Sequence, residues 1–250
     1  MSEAPAIRRA VAVFELLAGS RRGLSLSEVS RKLDLPKSST HRILSTLEQT
    51  ACIHKNPESG RYYLGVKLIG LSKAIVEGLE LRERATPFLA GLMNRTNLTV
   101  HMAVLEHGQA VLVAKLEPPN QPSVGTWVGK AMDANSTAVG KALIAFISPS
   151  ELAKQIRESS TFVRHNERTI VTLTQLKREL ARIRKLGYSV DDEEDEVGTR
   201  CVGAPIFDSG GRVVAAISVV GYVDQMTIER VEELGQAVKQ TAAAISANLR

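Results

Sequence analysis

The chain has 250 residues, 44% of them hydrophobic, which suits one large domain or two ordinary ones and excludes a disordered or fibrous chain. Its formal net charge of +5 is unevenly placed: residues 1–73 hold twelve Lys/Arg against six Asp/Glu, whereas residues 74–250 hold twenty against twenty-one. The longest apolar runs, such as residues 213–220, are too short to cross a bilayer, and the N-terminus lacks a signal-peptide pattern, so no membrane contact and a cytoplasmic location are expected.

Ile7, Ala10, Val11, Phe14 and Leu17 recur at helical spacing and predict one buried stripe on a first, scaffolding helix that Gly19 can end. Ser25 three residues before Glu28 predicts a capping box opening a second helix, with Leu26, Val29 and Leu33 as its apolar face. Pro36 is tolerated only at a helix start, so a third helix begins near Lys37. On it Thr40, Ile43, Leu44 and Leu47 share one arc and point inward. The opposite arc holds Ser38, Arg42, Ser45 and Gln49, flanked by Ser39 and His41.

An ordinary exposed face favours long Glu and Lys side chains over Ser and Thr. Short hydroxyls around one arginine instead let a helix axis approach the floor of a DNA major groove, with Arg42 reaching a guanine or a phosphate. Residues 52–55 and 61–64 flank Asn56-Pro57-Glu58-Ser59-Gly60, the punctuation of a hairpin. In that wing Lys55, Arg61 and Tyr62 would touch the sugar-phosphate backbone, while His54 reads as a plain strand residue. The order helix, turn, helix, basic hairpin is that of a winged helix-turn-helix. The predicted DNA-binding residues are Lys37, Ser38, Ser39, His41, Arg42, Ser45, Lys55 and Arg61, and the excess positive charge around them suits phosphate neutralisation.

Leu68, Ile69, Leu71 and Ile75 predict a linker helix, broken by Gly78 before a further helical run over 81–95. Exposed leucines there are a place to dimerise, since a monomer reads too little DNA to be specific. Beyond Asn97 the expectation is a hairpin of two strands around His107-Gly108, a Pro-rich loop, a short helix after Thr137, and a helix opened by Ser148. Next come a basic helix from Thr172 to Gly187, strands near 188–190, 199–207 and 213–220, and a last helix over 228–249. Hairpins without regular βα alternation argue an α+β domain with a mostly antiparallel sheet.

Cys52 and Cys201 lie outside any CxxC spacing and the five histidines are dispersed, so no disulfide, metal or cofactor is expected. No nucleophile with a partnered base and no phosphate loop is visible, so no catalytic residue is expected either.

The stretch DDEEDEVGTRCVGAPIFDSGGRVVAAISVVG (191–221), the segment STAVGKALIA (136–145) and the N-terminal reader together resemble the isocitrate lyase regulator (IclR) family of bacterial transcription factors, over essentially the whole chain. The resemblance implies a winged helix-turn-helix over residues 1–66, mainly α with a β-hairpin wing. It further implies a linker helix over 67–80 and a GAF-like α+β effector-binding domain over 81–250. By resemblance the protein is a homodimer or dimer of dimers that binds operator DNA and represses a catabolic operon. Its small-molecule effector would be a carboxylate, keto acid, sugar acid or aromatic acid.

The family's effector pocket carries over onto Ala138, Val139 and Gly140 from one side and Asp191, Cys201 and Ser218 from the other, with Val220 where some relatives have a second serine. Cys201 is equally readable as a small core residue. The acidic residues after Asp191 read as surface. Trp127 and Met132 read as a lid or as the covered edge of a core. An enzyme, and a regulator that works through oligomeric state without a ligand, are the competing readings.

Overall fold

The computed structural model describes residues 4–77, 80–158 and 162–249. The chain divides into two compact units, Met1–Gly78 and Leu79–Arg250.

The first unit opens with helix α1 (Pro5–Ala18), α2 (Leu26–Lys32) and α3 (Lys37–Gln49), followed by a two-stranded antiparallel hairpin, β1 (Ile53–Lys55) and β2 (Tyr62–Leu64), and by α4 (Lys67–Glu77). The Ser25–Glu28 capping box forms as predicted: the Ser25 hydroxyl accepts from the Glu28 N–H, and the Glu28 carboxylate accepts from the Ser25 N–H at 2.8 Å. Between α2 and α3 Asp34 adopts a left-handed φ of 50°, and Pro36 stands at the cap of α3. These helices close over Val13, Leu17, Val29, Leu44, Ile53 and Tyr62. Each fully buried aliphatic side chain among them contributes about 1.5–3 kcal/mol.

The expected stripe of α1 needs correcting. Leu17 is buried and Phe14 and Ala10 are partly so, but Ile7 is 67% and Val11 47% exposed, and Val13 does the packing instead. Only the C-terminal half of the helix is covered. Helix α4 leaves Ile69 and Leu71 exposed. Gly78, expected to break that helical run, lies outside the described residues.

The second unit begins with α5 (Glu80–Thr96) and the hairpin β3 (Thr99–Glu106) and β4 (Gln109–Leu116). His107 and Gly108 turn it with φ of 46° and 77°, a pair of positive values that matches the twist of the strands. A short strand β5 (Ala131–Asp133), which the sequence reading missed, then pairs with β4. Helices α6 (Ala138–Ile144), α7 (Pro149–Glu158) and α8 (Leu173–Leu186) follow. Thr137 and Thr172 cap α6 and α8, and Gly187 ends α8 in the left-handed region, φ 82°. The chain finishes with β6 (Ser189–Asp192), β7 (Thr199–Phe207), β8 (Val213–Tyr222), a 3₁₀ turn and α9 (Val231–Asn248).

Six strands form one antiparallel sheet in the order β5-β4-β3-β8-β7-β6. Alternation along each strand sends its side chains to two layers. Val100, Met102, Val202, Ala204, Ile217 and Val219 pack with α5 and α9 on one face, whereas Ala103, Leu112 and Ala216 pack with Val139, Ala142 and Leu143 of α6 on the other. Gly203 allows α6 to lie close: a Cβ there would stand 3.0 Å from the Ala138 carbonyl. The unit is therefore α+β with an antiparallel sheet, as the strand order in sequence implied.

Candidate nucleic-acid interface and effector cavity

In the first unit the arc of α3 that the sequence assigned to the core is inside: Thr40 and Leu44 are buried, and Ile43 and Leu47 are half-buried. The Thr40 hydroxyl is satisfied by the Pro36 carbonyl at 3.1 Å. Lys37, Ser38, His41 and Arg42 are exposed, and Ser39 and Ser45 are half-buried at the edges. The two arcs are thus segregated, and the outward one carries short hydroxyls and cations around Arg42, its one exposed acid, Glu48, standing on the His41 margin.

The wing is less uniform. Lys55 is exposed, its ammonium 5.6 Å from the centre of the Tyr62 ring. Arg61 is half-buried and largely committed inward: its Nε donates to the Arg22 carbonyl at 3.0 Å, and one terminal nitrogen pairs with Glu28 at 3.0 Å. It ties the wing to the start of α2. Tyr62, expected on the phosphates, is instead buried in the core, because a strand facing three helices must turn its alternate large residue inward. Tyr63 takes the outer side, stacking on the exposed His54 at 5.3 Å and donating its hydroxyl to the Arg22 carbonyl.

In the second unit strand register assembles the other predicted set. His101 stands opposite Ser218, and Ser218 opposite Gly203; one row along, Thr99 stands opposite Val220, Val220 opposite Cys201, and Cys201 opposite Asp191. These rows meet the start of α6 around a small cavity, about 40 Å³, walled by Ala138, Val139, Asp191, Cys201 and Ser218. Ala138 and Ser218, 80 positions apart in the chain, thus converge on one space. Gly140 is the exception. It is not a wall of the cavity, since its Cα packs against Ala134 and the capping Thr137, where a Cβ would come within 2.5 Å of backbone.

Sequence reasoning missed His101, Thr126, Lys130, Asp195 and Glu196, which are among the other residues lining it. His101 is buried and its ring Nε2 is 2.9 Å from the Thr126 hydroxyl. Desolvation, with the Lys115 ammonium adding, brings its pKa down to about 3, so the ring is neutral at physiological pH. Lys115 anchors the 118–130 loop over this space through the Val124 and Thr126 carbonyls at 2.8 and 2.9 Å. Met132 lines the cavity; Trp127 does not, and is 61% exposed beside Lys130.

The acidic run is not the solvated surface expected of it. Lys141, inside α6, is fully buried, with its ammonium donating to the Val190 carbonyl and paired with Glu194. A buried ammonium requires such a partner, which is why a carboxylate of this run must come inside. Asp195 accepts from the Ser136 hydroxyl at 3.1 Å, and Asp192 pairs with Arg200. Asp191 accepts from the Glu194 N–H at 2.8 Å. Burial, reinforced by Glu194, raises the Asp191 pKa to about 7 against the pull of Lys141. Burial first, then Asp191 and Asp195, push the Cys201 thiol well above its usual range, the reverse of what a nucleophile needs. The Ser218 hydroxyl, on a residue 1% exposed, has no hydrogen-bond partner among the described residues and borders the cavity.

Among the described residues no His, Cys, Asp and Glu group could hold a metal ion, and no helix is long and apolar enough to cross a membrane.

A winged helix-turn-helix followed by an α+β unit with an internal polar cavity defines a class: two-part transcriptional regulators. Residues 6–57 match the IclR helix-turn-helix domain, and residues 73–247 match the C-terminal domain of bacterial transcriptional regulator IclR. The chain is 31% identical over 246 residues to the HTH-type transcriptional repressor AllR of Escherichia coli, spanning 98% of this chain and 90% of that one. It superposes on the crystal structure of Thermotoga maritima IclR with a TM-score of 0.75 at 31% identity, covering 98% of each chain. The fold is also that of an IclR homologue from Microbacterium hydrocarbonoxydans crystallised with 4-hydroxybenzoate: TM-score 0.81, 24% identity, 98% of this chain and 99% of that one. The chain belongs to the IclR family and is a DNA-binding transcriptional regulator.

Proposed function

We propose that this regulator represses a catabolic operon and is released from its operator by a small organic acid. Residues 1–66 act as the reader, 67–80 as a linker helix and 81–250 as the sensor. Helix α3 lies in the major groove with Arg42 directed at a base or phosphate, Ser38 and Ser45 beside it, and Lys37, Ser39 and His41 at the margins. Lys55 holds the phosphate backbone, and Arg61 chiefly holds the wing in place. Two copies of the chain supply the two half-sites that specificity requires.

The observation that supports this reading above the others is the segregation of α3: apolar residues inside and a face of serines and Arg42 outside. Replacing Arg42 with Ala is expected to weaken operator binding by about 1–3 kcal/mol and to relax preference at one base position. An unchanged operator affinity in a mobility-shift titration would refute the assignment of this face.

The effector binds among Asp191, Cys201, Ser218, Ala138 and Val139, with the unpartnered Ser218 hydroxyl as one contact. A cavity near 40 Å³ suits an acid of a few heavy atoms. A compound the size of the 4-hydroxybenzoate held by the Microbacterium protein needs the 118–130 loop to move outward. A single ionised ligand facing Asp191, Asp195 and Glu196 is accommodated because Asp191 takes up a proton near neutral pH, leaving a carboxyl that can donate to the ligand.

A further inference from the structure

We infer that the first unit carries a second DNA contact, a seat for one phosphodiester in the groove between α1 and α3, with Arg9 as its principal ligand. The inference rests on the DNA-binding reading above and extends it to a helix that the sequence cast as scaffold. A groove of about 270 Å³ runs between these helices, walled by Arg9 and Ala10 from α1 and by Ser39, Arg42 and Thr46 from α3. No acidic side chain lines it. Both guanidinium groups lack a hydrogen-bond or ion-pair partner among the described residues, although α1 holds Glu15 and α3 holds Glu48 on other faces.

Cations left unpaired across an acid-free cleft repel one another unless an anion sits between them, and a guanidinium matches phosphate oxygens bidentately. The position is right for a backbone phosphate. Ser39, Arg42 and Thr46 follow at intervals of three and four, so they form the α1-side edge of the arc whose centre is to read bases. A helix seated in a major groove presents its edges to the flanking strands, and Arg9 stands on that flank. Ala6 and Ala10 keep the groove open on the α1 side.

The Arg9→Ala, Arg9→Gln and Arg9→Lys variants of the full chain would be titrated by fluorescence anisotropy. Two labelled duplexes of about three helical turns serve as probes, one from the promoter adjoining the gene and one a scramble of it. Each phosphate contact contributes about 0.9 to the slope of log K against log salt. Arg9→Ala and Arg9→Gln should therefore lose about threefold less affinity than the wild type between 50 and 200 mM salt, per copy of the chain bound. The loss should be equal on both duplexes, and Arg9→Lys should keep the wild-type slope. Arg42→Ala, which removes the cation across the groove as well as the base contact, should also lower the salt slope and in addition weaken the promoter duplex more than the scramble. If Arg9→Gln, with an unchanged melting curve, keeps the wild-type slope while Arg42→Ala is impaired, the phosphate seat is wrong and the reader stands. If the wild type binds neither duplex in dilute salt, both fall together.

Discussion

Asp191 shows what burial does to a single side chain. Its pKa rises from 3.8 to about 7, so the folded state holds a proton that the unfolded state releases near pH 4. The sign follows from linkage: between about pH 4 and 7 the native state binds more protons, and stability falls as pH rises through that window, then levels off. The upper bound is roughly 4 kcal/mol, because each pKa unit is worth about 1.36 kcal/mol. Asp191→Asn removes the penalty while keeping the acceptor for the Glu194 N–H. Its melting temperature is expected to exceed that of the wild type at pH 8 and to converge on it at pH 4. A constant difference across that range would show that Asp191 does not titrate there. The family resemblance picks out Asp191 from the run DDEEDE but not its titration, and it leaves the later acids as surface; burial of Lys141 brings Glu194 inside, and burial in the cavity wall raises the Asp191 pKa.

At the scale of elements, local rules were the reliable part. The capping box at Ser25 formed where the spacing put it, and the helix bounds at Thr137, Thr172 and Gly187 proved to be two hydroxyl caps and a left-handed end, since each needs only neighbours within one turn. The stripe on α1 did not hold, because which half of a helix is covered depends on how its partners dock against it. Strand β5 was invisible because three residues carry no period, and it exists only through pairing with β4.

The packing of α6 on β7 gives a test at this scale. Gly203→Ala puts a methyl 3.0 Å from the Ala138 carbonyl and 3.1 Å from the Ser189 hydroxyl, and backbone cannot give way as a flexible side chain can. Urea titration is expected to show a loss of about 1–3 kcal/mol, as for other overpacked sites. Since Ala138 walls the cavity, effector affinity should fall too. Full stability with full affinity would mean that α6 has slack the geometry does not show.

For the whole molecule, a regulator of this class works only if the effector has different affinity for the DNA-bound and free forms. Whatever factor the effector imposes on operator affinity, the operator must impose on effector affinity. A screen of small carboxylic acids by thermal shift finds the ligand, because binding to the native state alone raises the melting temperature. Calorimetric titration of that acid, with and without saturating operator duplex, should then give affinities differing by the factor seen in operator binding with and without the acid. Equal affinities in the two titrations would leave a DNA-binding protein whose cavity is uncoupled from its reader.

The sequence by itself determined the order of the parts, the inward and outward arcs of α3, the antiparallel α+β character of the second unit and its family. All of these rest on spacing within one element or on turn chemistry between adjacent ones. Only the tertiary structure decided that His101, Ser218, Cys201 and Asp191 share one face, that Gly140 and Tyr62 are packing residues, and that Arg9 stands across a groove from Arg42. The reason is register and crossing geometry. A side chain's neighbours in another strand or helix are set by how whole elements dock, and that information is spread over every residue in the interface rather than written beside any one of them.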